Sequence, residues 1–223
     1  MSEEQKSIIS LKNLVGNTDS KIFLIVGPPG SGKEEFAIQF MIDGFVEKNN
    51  GAFLTTDSFP SEIITKMKLL GTDPTSFISG KQLQFIDAFS YRTGESVDKN
   101  GLAVDNIRNL TGLSVIIKQL IDTNEKLRLV INTVSTISIY NSGVSLLDFT
   151  QAQAARLKQK NHSGLIIAHE GMMEEKVIQG MKAFVDGVIE FQKTETVKGT
   201  LKNELRVTYA PKIRRSGWID LHK

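Results

Sequence analysis

The sequence has no cysteine, which excludes a disulfide framework, cysteine-ligated zinc, iron–sulfur clusters and thiol catalysis. Histidine is scarce too, and His162, His169 and His222 form no readable metal cluster. An excess of charge of one sign is also missing. Lys+Arg 27 against Asp+Glu 25 gives +2, too little to imply a polyanionic partner from bulk charge. No apolar run approaches the ~18 residues that a transmembrane helix needs, so no membrane partner is expected. The first twenty residues, MSEEQKSIISLKNLVGNTDS, hold no hydrophobic signal core. A soluble cytoplasmic protein is the expectation. Hydrophobic residues at 40% and charged residues at 23% suit a folded globular chain. A chain of 223 residues buries roughly 70–75% of its unfolded surface without a covalent staple. No repeat or Pro/Gly linker divides it, so residues 1–223 are read as one domain.

Short β-rich runs alternate with helical patterns. Lys21–Gly27 (KIFLIVG) is a continuous apolar run closed by glycine, as in a strand buried on both faces. Ser31–Glu47 repeats apolar residues at helical spacing. Gly51–Asp57, Gln82–Phe89, Leu127–Asn132 and Gly164–His169 read as further strands. Ser61–Leu70, Asp105–Asn124, Leu146–Lys160 and Met173–Phe184 read as helices. At the end, VDGVIEFQ, ELRVTYA and WIDLH read as strands without intervening helices, hence as antiparallel additions to a sheet edge. The fold class is therefore α/β, with a mainly parallel central sheet flanked by helices and antiparallel C-terminal edge strands.

Gly27-Pro28-Pro29-Gly30-Ser31-Gly32-Lys33 fits GxxxxGK and lies between a buried strand and a helix, where a phosphate-binding (Walker A) loop belongs. Its glycines let backbone N–H groups converge on phosphate oxygens, and the helix N-terminus adds partial positive charge. Lys33 would meet the outer phosphates as a point charge. The eighth position, where Ser or Thr would offer a hydroxyl to Mg²⁺, is Glu34. Three arrangements stand open: Glu34 ligates the metal, turns outward, or pairs with Lys33 and blocks the loop.

The order of motifs resembles the RecA superfamily, above all its KaiC-like branch with the archaeal RadA paralogs. The likeness runs from about Ile9 to Lys223. It rests on the phosphate loop, on FLTTDSFPSEI (Phe53–Ile63), on GTDPTSFISGKQLQFIDAFSYRTG (Gly71–Gly94), on FVDGVIEF (Phe184–Phe191) and on Lys212-Ile213-Arg214. The resemblance implies a RecA-like core binding ATP or ADP. It also implies a homo-oligomeric ring or filament, or a RecA-family partner. Lys212 and Arg214 would then reach the γ-phosphate held by a neighbouring protomer. On a strand the two would share a face across Ile213, the geometry of a paired arginine-finger role.

The departures from that family fall on hydrolysis. A water-activating Glu pair is replaced by Asp57-Ser58, leaving Asp57 as the candidate catalytic carboxylate. The strand that would end in an aspartate ends in Asn132, which brings no charge to a cation. Glu34 and Asn132 are the candidate metal residues, with Mg²⁺ binding weakened. His169-Glu170 opens like HExxH, but no second histidine follows at the needed position; the resemblance places Glu170 near the γ-phosphate. His162 and His222 read as surface residues, and Arg156, Lys158 and Lys160 as a solvated face. Arg92 matches a family residue, with a structural turn and a nucleotide-proximal role both open. Thr136–Ser145 has no Lys or Arg, and Glu170–Lys182 has three glutamates against two lysines, so these loops suit DNA poorly. The reading is a nucleotide-occupancy switch with weak or absent hydrolysis. The alternatives are an active Mg-dependent ATPase of the RadA-paralog type in DNA recombination or repair, and a non-catalytic docking scaffold.

Overall fold

The computed structural model describes residues 8–94, 102–196, 199–211, 213 and 216–222. After a short helix, α1 (Leu11–Val15), strand β1 (Ile22–Gly27) runs through the glycine-rich loop 28–32 into helix α2 (Lys33–Val46). Then come β2 (Asn50–Thr55), α3 (Pro60–Leu69), α4 (Thr75–Ser79), β3 (Leu83–Asp87), a 3-10 turn (Ser90–Thr93) and β4 (Leu102–Ala103). The second half supplies α5 (Leu110–Thr123), β5 (Leu127–Asn132), α6 (Val134–Tyr140), α7 (Gly143–Gln159), β6 (Ser163–His169) and α8 (Glu175–Lys182). It closes with β7 (Gly187–Glu195), β8 (Leu201–Tyr209) and β9 (Ile219–Asp220).

Among the described residues these strands form one nine-stranded sheet in the order β4-β3-β2-β5-β6-β1-β7-β8-β9. From β4 to β7 every pairing is parallel; only β7–β8 and β8–β9 are antiparallel. The expectation of three antiparallel tail strands is thus corrected for the first of them. Helix α8 carries the chain back across the sheet, so β7 enters parallel to β1, pairing Phe23 with Gly187.

Alternation along β1 divides the core into two layers. Ile22 and Leu24 face α5, α6, α7 and α8, whereas Phe23 and Ile25 face α1, α2, α3 and the tail strands. Both sides are sealed, which is why the central strands read as unbroken apolar runs. Each fully buried Phe, Ile or Leu contributes about 1.5–3 kcal/mol.

Two polar residues hold the frame rather than the surface. His162, expected outside, is buried: its Nδ1 accepts from Leu127 N at 3.2 Å and its Nε2 lies 3.0 Å from Ile121 O. It closes the turn between α7 and β6 at the sheet end remote from the glycine-rich loop after β1. Asp186, in the VDGVIEF motif, accepts from Ile22 N at 2.8 Å and lies 3.0 Å from Lys158 Nζ. Lys158 also donates to Phe184 O at 2.9 Å, so its end of the basic helix face is tied down instead of solvated.

Candidate functional site

The parallel register brings four strand ends to one edge. Gly27 of β1 lies beside His169 of β6, and Thr55 of β2 beside Asn132 of β5. The carboxyl edge of an open α/β sheet is where ligands of such folds sit. Thr56 ties two of these ends together: its N–H donates to Asn132 O at 2.9 Å, and its Oγ1 accepts from Thr133 N at 2.7 Å.

The loop that follows Gly27 is closely fitted. Gly32 has φ +86°, and a methyl group on it would fall 2.1 Å from Leu221 Cδ2, so glycine is required there on two counts. Lys33 is 3% exposed and donates to Gly27 O at 2.8 Å, Pro28 O at 2.5 Å and Ser31 Oγ at 3.2 Å. Burial, reinforced by the positive charge of Lys193, pulls its pKa down to about 8. Lys193, on β7, overhangs the loop: its Nζ lies 2.7 Å from where a side chain on Gly30 would begin. The loop thus presents two lysines, of which the motif announces one.

Glu34 adopts none of the three expected arrangements. Its Oε1 is paired with Lys66 Nζ of α3, and its Oε2 accepts from Asn132 Nδ2 at 2.8 Å. Their side chains are 18% exposed for Glu34 and 37% for Lys66. Burial lowers the pKa of Lys66, but the hydrogen bond and charge of Glu34 outweigh it and hold the ammonium above its ordinary value. The structure therefore brings Glu34 and Asn132 together, as expected of a shared site, and adds a cation the motifs do not include. The sequence orients Lys66 on its helix without placing it at the site. Lys66 is flanked on α3 by the buried stripe of Ile63 and Met67, which turns it toward the protein.

These residues do not fit a hexacoordinate magnesium ion. Such an ion needs free oxygen ligands, whereas both Glu34 oxygens are taken by donors and Asn132 turns its N–H toward the carboxylate. Among the described residues no group of three or more His, Asp or Glu side chains could hold a metal.

Asp57, beyond the end of β2, lies 3.8 Å from His169 Nε2, while His169 Nδ1 is buried without a partner and His169 N donates to Ser135 Oγ at 2.7 Å. Ser58, which replaces the second carboxylate, is buried with its Oγ unpartnered. Arg92 packs its guanidinium over the rings of Phe89, Tyr91 and Tyr140 at 5.4–5.7 Å. Lys212 and Arg214 lie outside the described residues; Ile213 between them forms an isolated bridge to Ala210.

Comparison with known proteins matches this chain along nearly its whole length. Residues 7–218 fit the family described as KaiC ATPase. The chain belongs to the KaiC ATPase family. A UPF0273 protein of Thermotoga maritima is 25% identical over 193 residues, covering 86% of this chain and 79% of that protein. A UPF0273 protein of Sulfurisphaera tokodaii is 31% identical over 123 residues, which is 55% of this chain but 44% of the relative. The match thus spans less than half the length of that relative. The crystal structure of a KaiC-like protein from Pyrococcus horikoshii superposes with a TM-score of 0.73 at 17% identity, covering 96% of this chain and 92% of that one. It shares the KaiC fold, including the antiparallel strands that follow the parallel sheet. Among the described residues no helix is long and apolar enough to cross a membrane.

Proposed function

We propose that this KaiC-family chain binds ATP or ADP at Gly27–Glu34 and works as a nucleotide-occupancy switch with weak or absent hydrolysis. One observation carries the reading. The phosphate cradle keeps its glycines and the buried Lys33, while Glu34, Asn132 and Lys66 have closed on one another where hydrolysis would need its cation. Gly30, Ser31, Gly32, Lys33 and Glu34 would offer backbone N–H groups to the phosphates, Gly27, Pro28 and Pro29 would shape the turn, Lys33 and Lys193 would supply charge, and α2 its N-terminal dipole. The loops after β5 and β6 offer too few cations to favour DNA.

The expected turnover lies well below the ~1–100 s⁻¹ of phosphoryl-transferring kinases. Combining Glu34→Thr, Asn132→Asp and Ser58→Glu should raise magnesium-dependent turnover by removing the internal pairing and restoring carboxylates. Phosphate release under saturating ATP measures both, and a wild-type rate already within that range overturns the reading. A slow ATPase is the second reading, favoured by the approach of Asp57 to His169 at the same edge. Under it, the wild type turns over measurably and Asp57→Asn abolishes the rate.

Self-association belongs to the same proposal. Lys212 and Arg214 would complete the site of a neighbouring protomer, and head-to-tail contacts of that kind build rings or filaments. Light scattering with saturating ATP should show assembly that weakens when both residues become alanine. A strict monomer at high protein concentration removes the trans role.

A further inference from the structure

We propose that Lys66 is the resident cation of this nucleotide site, so that the ligand it takes is the free polyphosphate of a nucleotide rather than its magnesium complex. The inference rests on the nucleotide-binding reading and deepens it.

The arrangement has three parts, each from a different element. Glu34 stands in the first turn of α2, directly after the loop lysine. Asn132 ends β5 and is 2% exposed. Lys66 stands in the last turn of α3 and places its ammonium on Glu34 Oε1, while the Asn132 amide donates to Oε2 at 2.8 Å. A divalent ion entering here would have to displace the ammonium, turn the amide round and then sit beside a positive charge. Nothing in the network invites it.

The network also answers a problem posed by the sequence. A carboxylate at the eighth position of a phosphate loop should repel the polyphosphate that the loop is built to hold. Lys66 neutralises it through a direct contact, and the same ammonium carries two further donors. The acidic groups facing this cation are Glu34, Glu35 and Glu62; those facing Lys33 are Glu35, Asp57 and Glu170. Of these carboxylates Glu34 is already paired with Lys66, while Lys33 and Lys193 stand at the loop itself.

The test titrates a fluorescent ATP analogue into the full chain, once with saturating Mg²⁺ and once with EDTA. Affinity in EDTA is expected to equal or exceed that in magnesium. A loss of about tenfold or more on chelation, the scale of a functional metal contact, overturns the proposal while leaving the nucleotide reading intact. Absence of binding under both conditions overturns that reading and the proposal with it. Lys66→Ala bares the Glu34 carboxylate and should bind about tenfold more weakly in EDTA, with magnesium restoring affinity. Lys66→Arg keeps a cation and should remain indifferent to the metal. If Lys66→Ala binds in EDTA as tightly as the wild type, the assignment to Lys66 is wrong. The wild-type comparison decides the proposal even if the alanine variant fails to fold.

Discussion

Replacing Lys33 with alanine is expected to weaken binding of a fluorescent ATP analogue by about 100-fold, the loss of a charge-assisted contact in a desolvated site. The lysine is already buried among Gly27 O, Pro28 O and Ser31 Oγ, so the protein needs little reorganisation to present it. Equal binding by wild type and variant would remove the phosphate-loop assignment. The same side chain predicts the response to pH. Its pKa of about 8 means that it is charged at neutrality and loses its proton above that value. Phosphate favours the ammonium, so affinity should hold steady below pH 8 and fall as pH rises beyond it, with a proton taken up on binding. Stability of the ligand-free protein should run the other way. The folded state releases this proton before the unfolded state does, so the Lys33 contribution to unfolding free energy rises between about 8 and 10.5. Titrations and melts at the same pH values check both signs.

Arg128→Ala should be strongly destabilising although it lies outside the site, at about 3 kcal/mol. Arg128 is 3% exposed within β5; its Nη1 donates to Phe40 O at 2.6 Å, its guanidinium stands 4.6 Å from the Phe40 ring centre, and its Nη2 pairs with Glu47. Gly44 makes room for it, since a methyl group there would fall 2.6 Å from Arg128 Cδ. Truncation leaves a cavity and removes the second donor to a helical carbonyl, although Glu47 keeps Lys12 at 2.6 Å. For a chain of this length the midpoint should drop by about 6–12 °C, read by circular dichroism. Arg128→Met, which refills the volume without the charge, should lose distinctly less. A fall under about 2 °C for the alanine variant would show that the buried guanidinium contributes little.

Arg128 also marks where sequence reading gives out. The strand LRLVIN announces itself by its apolar residues, and nothing in the run says that its one cation turns inward; the glycine that admits it lies far off in sequence, on helix α2. The parallel core was legible because strands buried on both faces leave continuous apolar runs and their crossover helices leave a 3.6 period. The turn from β1 into α2 was legible because its glycine spacing is set by local geometry. Helix α6 was not, since Val134–Tyr140 begins at Thr133, whose Oγ1 accepts from Thr136 N at 3.3 Å inside what reads as a loop. Lys66 and Lys193 were missed for a related reason. Their place at the site depends on how α3 and β7 lie against α2 and the loop, which is tertiary information that no short motif carries.

The position of β1 in the sheet bears on the order in which the molecule assembles. β1 precedes every other strand along the chain, yet it pairs only with β6 and β7, and the loop it feeds is covered by Leu221. Bringing Ile22 beside Gly164 closes a very long stretch of chain, and such closures come late because their entropy is lost before their contacts are gained. The local pair β2–β3 can form first; the central strand waits for its partners. A nucleotide bound at this loop, as proposed, is therefore expected to slow unfolding without hastening refolding.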